Sequence, residues 1–155
     1  AIATVKGASK RLEKIAENQL TVVFKDFAHS PSKVEATTKA VKNQYQERTV
    51  LACLELHTYS SLNADFLKEY EGALNCADVA VVFYSPHAVE IKKLEKVTEQ
   101  QIKEAFNRED LIIFTNPEAF RTYLFNQNIY NAALLLMSSG NYGGLDFEKF
   151  KEIVG

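Results

Sequence analysis

The stretch Asp26-Phe27-Ala28-His29-Ser30-Pro31 decides how this chain folds, because it joins an apolar strand to a helix. The run before it, Thr21–Phe24, is β-branched and aromatic, which is typical of a buried strand. The Ser-Pro pair at its end predicts an N-cap followed by the first helical position. Asp26 and His29 are therefore expected at the carboxyl end of a strand, where open parallel α/β sheets bind ligands. The alternative is that Asp26 caps a turn and His29 fills a loop.

On both sides of this junction the sequence alternates between strand and helix patterns. Leu12–Ala16 is predicted to pair with Leu20–Phe24 as an antiparallel hairpin at the sheet edge. Further strands are predicted at 49–56, 78–84, 111–115 and 132–137, and helices at 31–46, 60–75, 98–106, from 116–118 onward and at 146–154. This alternation predicts a three-layer, doubly wound, Rossmann-like α/β fold, with a mostly parallel sheet and an antiparallel N-terminal edge hairpin. No linker divides the chain, so residues 1–155 are expected to form a single domain.

Composition and charge exclude several classes of protein. With 155 residues, 46% hydrophobic and 25% charged, the chain has the composition of one globular domain and not of a disordered segment. A net charge of -2, with lysines scattered among acids, gives no expectation of nucleic-acid binding. No apolar run reaches the roughly 18 residues of a membrane span. The two cysteines have no disulfide or metal-ligand pattern, so a reducing cytoplasm is expected.

Polar residues collect where the predicted strands end. These residues are Asp26, His29, His57, Thr58, Ser60, Ser85, His87, Thr115, Asn116, Ser138, Ser139 and Asn141. Imidazole and carboxylate groups suit zinc or iron, but no pair has the close helical spacing of a metal motif, and no metal site is predicted. The glycines of 140–144 lack dinucleotide-motif spacing and are expected to allow close backbone approach. There is no G-x-S-x-G motif and no phosphate-binding G-x-x-x-x-G-K-[ST] loop, so this chain alone is not expected to hydrolyse ATP.

Two motifs near the start of the chain resemble the signatures that open the C-terminal domain of the Mur ligases. Residues 7–13 (GASKRLE) are similar to G-x-x-R-R-x-E, and residues 26–31 (DFAHSP) are similar to D-[YF]-A-H-x-P. Residues 54–59 (LELHTY) resemble the Q-P-H-R strand end of muramate-alanine ligases, and 137–144 (MSSGNYGG) resemble M-S-N-G-x-F-G-G of murein peptide ligases. The chain is identified as a member of this family, most like those two types. The resemblance implies the third of three domains, with the substrate-binding N-terminal and P-loop ATPase central domains missing from a fragment that starts at Ala1.

The resemblance also implies a reaction. The full-length protein would be an ATP-dependent acid-amino acid ligase of peptidoglycan synthesis or recycling. In the family, a carboxylate of the UDP-N-acetylmuramate substrate is phosphorylated to an acyl phosphate with Mg²⁺, and the amine of an amino acid or peptide then attacks. The C-terminal domain closes on the other domains, so its role is positioning and exclusion of water. ATP and Mg²⁺ would be bound mainly by the central domain, and the isolated domain is expected to be inactive.

Residue roles follow from the same resemblance. Arg11 would be the catalytic residue, whose guanidinium contacts the ATP phosphates while the γ-phosphoryl group moves. Asp26 would accept hydrogen bonds from the ribose or adenine side of the nucleotide, and His29 would line the same cleft. Contacts to the acceptor are implied for His57, Thr58, Ser138, Ser139 and Asn141. The structural alternatives are a solvent-exposed hairpin charge for Arg11 and a loop histidine for His57.

Two departures from the family motifs leave the acceptor open. Lys10 stands where the first arginine is usual, which keeps the charge but loses a bidentate fork. Thr58 replaces the arginine of the alanine-adding type. Two other functions stay under consideration: a folylpolyglutamate synthase-type ligase of the same superfamily, and a non-catalytic receiver-like module. A receiver needs a lysine after the last strand, where residues 138–140 read Ser-Ser-Gly. The oligomeric state is open.

Overall fold

The computed structural model describes residues 12–27, 30–56, 67–84, 99–126, 131–138, 142, 145 and 148–154. Strands and helices alternate along most of these ranges. In chain order they are β1 (Leu12–Glu17), β2 (Thr21–Asp26), α1 (Pro31–Gln44), β3 (Thr49–Glu55), β4 (Val79–Phe83), α2 (Glu99–Phe106), β5 (Ile112–Phe114), α3 (Pro117–Asn126), β6 (Ala132–Met137) and α4 (Lys149–Val154).

The six strands form one sheet in the order β1-β2-β6-β3-β4-β5. β1 pairs with β2 in antiparallel orientation, and all the other neighbouring pairs are parallel. The last strand in sequence, β6, therefore lies between β2 and β3 at the centre of the sheet. In the register, Met137 of β6 is opposite Asp26 on one side and Leu54 on the other. The predicted doubly wound sheet with an antiparallel edge hairpin is confirmed.

Two hydrophobic cores lie on the two faces of this sheet, because side chains alternate between faces along each strand. On one face the strands pack against α1 and α2, and the core includes Phe24, Val34, Leu54, Ile102 and Met137. On the other face they pack against α3 and α4, and the core includes Val23, Cys53, Phe120, Leu136 and Phe150. β6 is buried along its whole length, as expected for a central parallel strand. The result is the three-layer arrangement that the alternation of elements predicts.

The start of α1 follows the Ser-Pro signal. Ser30 has extended backbone angles, its carbonyl accepts the Val34 N–H at 2.9 Å, and Pro31 is the first helical residue. The serine hydroxyl makes no capping hydrogen bond within the described ranges, so the proline and the backbone define this end. One face of this helix packs on the sheet, since Val34, Thr38 and Val41 are all buried. The helix ends at Gln44, two residues earlier than predicted.

α3 begins where it is predicted, after an asparagine whose side chain caps its first turn. The Asn116 side-chain oxygen accepts the N–H groups of Glu118 at 2.8 Å and Ala119 at 3.0 Å. These are two of the N–H groups that a helix start leaves without internal partners. Pro117 at the first helical position and the acid that follows agree with the positive end of the helix dipole.

The helix predicted at 60–75 is α-helical at Leu67, the first described residue of that range, but does not continue as an α-helix to residue 75. Residues Lys68–Tyr70 form a short 3₁₀ helix, and turns follow from residue 71 to residue 76. Gly72 has φ +78°, a left-handed conformation that glycine adopts at no steric cost within the turn after this helix, and its N–H donates to the Phe106 carbonyl at 3.3 Å. A tertiary contact to α2 therefore replaces continuation of the helix. Tyr70, Ala73 and Leu74 are nevertheless buried, as the apolar pattern predicts.

None of the helices in the described ranges combines the length and the apolar character that crossing a bilayer requires.

A network of charged side chains lies at the end of the sheet where the parallel strands begin, and it connects the starts of β3 and β4 to α1 and to the segment after α2. Asp78 accepts hydrogen bonds at 2.8 Å from the Lys42 ammonium and from the Val50 N–H. The Arg108 guanidinium donates to the Leu74 carbonyl at 2.6 Å and to the Asp78 carbonyl at 3.1 Å. Burial alone would raise the pKa of Asp78, but the hydrogen bonds from Lys42 and Val50 outweigh it, and the pKa lies below its ordinary value.

The stability of the domain should therefore depend on pH through Asp78. The folded state lowers this pKa, so the stabilisation is complete above the unfolded value of 3.8 and is lost as the pH falls through the folded value. At neutral pH we expect Asp78→Asn to lower the free energy of unfolding by less than about 1 kcal/mol, because solvent screens a partly exposed pair. Urea denaturation from neutral pH down to about pH 2 measures the difference, which should shrink toward zero. Glu35→Gln, at an exposed carboxylate of α1, is the control, and a difference that persists in acid would contradict the assignment.

Candidate functional site

The candidate site lies at the carboxyl edge of the sheet, where β2, β6 and β3 end side by side. Asp26 is the last residue of β2, Glu55 is the last residue of β3, and Ser138 directly follows β6. The Ser138 N–H donates to the Asp26 carbonyl at 3.0 Å, which continues the β2–β6 pairing past the end of β6. All three side chains are buried, with at most 5% of each residue exposed. The fold thus brings residues about 30 to 110 positions apart in sequence to one edge.

One carboxylate oxygen of Glu55 accepts two hydrogen bonds at this edge. Glu55 Oε1 accepts the Ser138 hydroxyl at 2.5 Å and the Tyr142 N–H at 2.9 Å. A buried carboxylate is costly unless hydrogen bonds compensate it, and here two donors converge on the same oxygen. The end of β3 is therefore bound to two points on the segment that follows β6.

Tyr142 is held in place from three directions. Its hydroxyl proton is shared between the Met137 carbonyl at 2.6 Å and the Cys53 carbonyl at 2.9 Å. Its ring stacks on Phe120 at 5.0 Å between centroids and packs at a tilt against Phe83 at 6.1 Å. Burial raises the pKa of the Tyr142 hydroxyl well above its ordinary value, and the nearby Cys53 and Glu55 raise it further. The phenol therefore stays protonated and acts as a donor.

The backbone of Tyr142 is unusual. Its φ is +55°, in the left-handed region, which residues with a Cβ adopt only at a cost. Such a conformation persists when the surrounding structure holds it in place, and its appearance at a ligand edge supports a functional hypothesis.

Cys53 does not supply a nucleophile. Its side chain is fully buried in β3, and burial raises the pKa of the thiol. A reactive cysteine needs a lowered pKa and some access to solvent, so this thiol is a core residue.

The two sides of the edge are distinct. Asp26 is opposite Met137 in the register, so its side chain belongs to the face that α1 covers. Ser138 and Glu55 are one position further along their strands and belong to the face of α3 and α4, where Tyr142 packs. Asp26, one of the residues predicted for the nucleotide, and Ser138, one of those predicted for the acceptor, therefore point to opposite sides of the sheet.

Most of the predicted site residues lie outside the described ranges. These are Arg11, His29, His57, Thr58, Ser139 and Asn141. Their roles stay predictions. Of the predicted set, the structure brings Asp26 and Ser138 to the same edge as neighbours, and it adds Glu55 and Tyr142. A charged residue near the end of the apolar run TVLACLEL is a signal that could have pointed to Glu55. Tyr142, between glycine-rich neighbours, gave no comparable signal.

Possible metal ligands do not cluster within the described residues. No group of three or more His, Cys, Asp or Glu side chains in those ranges could hold an ion. All three histidines of the chain lie outside the described ranges.

An open polar cavity of about 530 Å³ lies at the opposite end of the sheet. It is bounded by Gln19 in the β1–β2 turn, by residues 43–48 after α1 and by Asn131 before β6. Arg48 lies within it, donates to the Gln19 carbonyl at 3.0 Å and stacks over the Tyr45 ring at 5.0 Å. This cavity is remote from the carboxyl edge, and none of the predicted site residues lines it.

Fold and site together define a class of protein: a doubly wound α/β domain with an antiparallel edge hairpin and a buried polar cluster at the carboxyl ends of its central strands. A family model described as the Mur ligase, glutamate ligase domain, matches residues 10–140. The chain therefore belongs to the family of Mur ligase C-terminal domains, and the family predicted from the two opening motifs is confirmed.

Individual relatives agree with this assignment. The chain is 36% identical over 125 residues to a UDP-N-acetylmuramate–L-alanine ligase from Microcystis aeruginosa, in an alignment covering 76% of this chain and 25% of that protein. Among solved structures, a murein peptide ligase from Psychrobacter arcticus matches with a TM-score of 0.70 and 18% identity, covering 94% of this chain and 29% of that one. A folylpolyglutamate synthase from Mycobacterium tuberculosis matches with a TM-score of 0.52 and 20% identity, over 84% and 29%. The two structural matches show a shared fold.

The curated relatives are much longer than the region that aligns. The alignments with the first eight of them cover between 16% and 31% of each relative. The chain therefore spans less than a third of the proteins it resembles.

Proposed function

We propose that this chain is the C-terminal domain of an ATP-dependent ligase that joins an amino acid or peptide to UDP-N-acetylmuramate in peptidoglycan synthesis or recycling. The observation that carries the proposal is the family match over residues 10–140. Curated relatives named as UDP-N-acetylmuramate–L-alanine ligases support the choice of substrate class. In this proposal residues 1–155 are one domain of a cytoplasmic protein, and its N-terminal and central domains are the partners of this one.

The proposed reaction has two steps. The γ-phosphoryl group of ATP passes to the substrate carboxylate and gives an acyl phosphate and ADP. The acceptor amine then attacks the acyl carbon, phosphate leaves, and the amine loses a proton as the amide forms. Little of this needs covalent participation by the present domain, whose contribution is to place charges and to exclude water. We assign Arg11 to the ATP phosphates.

The arrangement of the carboxyl edge supports a division of labour between its two sides. Asp26, on the side of α1, is assigned with His29 to the nucleotide. Ser138, on the side of α3 and α4, is assigned to the acceptor, together with His57, Thr58, Ser139 and Asn141. Because Asp26 and Ser138 point to opposite sides, nucleotide and acceptor can be held without competing for the same volume.

Within the described residues, no group of three or more His, Cys, Asp or Glu side chains is available as a set of ligands for Mg²⁺. We therefore derive no step through the ion from this chain. Its binding, and most of the contacts to ATP, belong in this proposal to the part of the ligase that the chain does not span.

The test is a ligation assay on the natural full-length protein that carries this chain. ADP release should require UDP-N-acetylmuramate together with either L-alanine or the tripeptide L-alanyl-γ-D-glutamyl-meso-diaminopimelate, and mass spectrometry should detect the amide product. Folate with glutamate is the comparison pair, because the folylpolyglutamate synthase shares the fold. ADP release with the folate pair alone would replace the proposed substrate. If no substrate pair is ligated, the proposed ligase function is wrong and the alternative of a non-catalytic module takes its place.

A further inference from the structure

We propose that Glu55 is a positioning residue that holds Ser138 and Tyr142 in place and thereby sets the affinity of the ligase for its acceptor. The proposal rests on the proposed function, because it concerns the acceptor side of the same edge. Glu55 has no role in the sequence-based predictions. The structure assigns it one by placing its carboxylate between two points of the segment that follows β6.

The geometry makes Glu55 a bridge. Ser138 is held on one side by the hydrogen bond of its N–H to the Asp26 carbonyl, at 3.0 Å. Its hydroxyl donates to Glu55 Oε1, and four residues later the Tyr142 N–H donates to the same oxygen. Ser138 and Tyr142 are therefore both hydrogen-bonded to the last residue of β3. A movement of that one oxygen would disturb both contacts.

The strained conformation of Tyr142 explains why such a bridge is needed. A residue with a Cβ at φ +55° returns to a more favourable conformation unless it is held. The hydroxyl and ring contacts fix the side chain of Tyr142 in the core. The hydrogen bond to Glu55 fixes the backbone N–H of Tyr142. Its acceptor oxygen also binds the Ser138 hydroxyl, so this contact links Tyr142 to Ser138.

The choice of residue at position 55 points to function as well as stability. β3 is otherwise apolar along its buried length, and an apolar side chain at its end would avoid the desolvation of a carboxylate. A buried carboxylate does what an apolar residue cannot: it accepts two hydrogen bonds and so specifies one conformation. Ser138, whose hydroxyl donates to this carboxylate, is itself one of the acceptor candidates.

The functional test compares variants in the natural full-length ligase. Glu55→Ala removes both hydrogen bonds and should raise the KM for the acceptor at least about 10-fold, since displacements near 1 Å can cost about 100-fold in catalysis. The KM for ATP should stay within about 2-fold, because the nucleotide candidate Asp26 lies on the other side of the sheet. Glu55→Gln keeps an oxygen that accepts both donors and should restore the acceptor KM to near the wild-type value.

Two further variants separate positioning from stability. Ile102→Ala removes buried volume from the core on the α1 face, leaves Glu55 intact and should lower the melting temperature with both KM values unchanged. Glu55→Asp keeps the charge but withdraws the carboxylate by one methylene. It should give an intermediate acceptor KM, and it takes the place of Glu55→Ala if that variant does not fold.

A measurement independent of activity completes the test. Hydrogen exchange is measured by NMR on the chain of 155 residues. The Tyr142 amide should exchange at least about 10-fold faster in Glu55→Ala than in the wild type, while amides of β6 such as Leu134 keep their protection. Unchanged Tyr142 exchange, or an unchanged acceptor KM in an active ligase, would overturn the role of Glu55. An inactive wild-type ligase with accelerated Tyr142 exchange would instead contradict the proposed function and leave Glu55 as a backbone anchor.

Discussion

Replacing Tyr142 with alanine should lower the free energy of unfolding by about 3–5 kcal/mol, the usual cost of deleting a buried aromatic ring. The ring is 1% exposed and stacks on Phe120, so its removal leaves a cavity between the sheet and α3. The hydroxyl that spans the Cys53 and Met137 carbonyls is lost at the same time. Urea denaturation of the chain, followed by circular dichroism, measures the change.

Tyr142→Phe is the matched control, because it keeps the ring and removes only the hydroxyl. We expect a loss of about 1–3 kcal/mol, since two buried carbonyl oxygens lose their shared donor. If the two variants proved equally destabilising, the ring would contribute nothing and the packing assigned to it would be wrong. If Tyr142→Phe had no effect, the hydroxyl contacts would not be a source of stability.

Replacing Arg11 with alanine in the full-length ligase should reduce kcat by about 100- to 1,000-fold, as the loss of a group that stabilises transition-state charge typically does. The proposed role is contact with the ATP phosphates, for which a guanidinium supplies a fixed, bidentate set of donors. Arg11→Lys keeps the charge without the fork and should recover only part of the activity. Steady-state ADP release at saturating substrates measures the effect.

Lys10 provides the control for Arg11, because it is the adjacent basic residue of the same motif. Lys10→Ala changes the net charge equally and should leave kcat within a few-fold of the wild-type value. Unaltered turnover in Arg11→Ala would remove the catalytic assignment and leave Arg11 as a solvent-exposed charge of the hairpin. Equal losses in both variants would point to a general electrostatic effect and not to one positioned guanidinium.

Much of the fold follows from local patterns in the sequence. The apolar run 21–24 and the Ser-Pro pair each act over a few residues, so β2 and α1 appear where they were expected. The helix predicted at 60–75 does not continue, because a 3₁₀ helix that ends at Tyr70, followed by a turn through Gly72, also buries the apolar side chains of this range. The hydrogen bond from Gly72 to Phe106 favours the turn over a continued α-helix. These residues are far apart in sequence, so no local pattern could have predicted their contact.

The candidate site could be predicted only in part, for a similar reason. Asp26 and Ser138 stand out because strand ends are visible in the sequence, and parallel strands bring their ends to one edge. The bridge through Glu55 depends on β6 lying next to β3, which the order of strands along the chain does not reveal. Strand alternation then separates Asp26 from Ser138, and this depends on a register that only the folded sheet defines.

The central position of β6 has a consequence for how the domain is made. β2 and β3 have no partner between them until residues 132–137 have left the ribosome, so two strand edges stay open from the synthesis of β3 to the synthesis of β6. Pairing over such a sequence separation is slow compared with closure of a hairpin. A product truncated before β6 would keep both edges exposed and would be prone to aggregation, whereas one truncated after residue 138 would already contain the whole sheet.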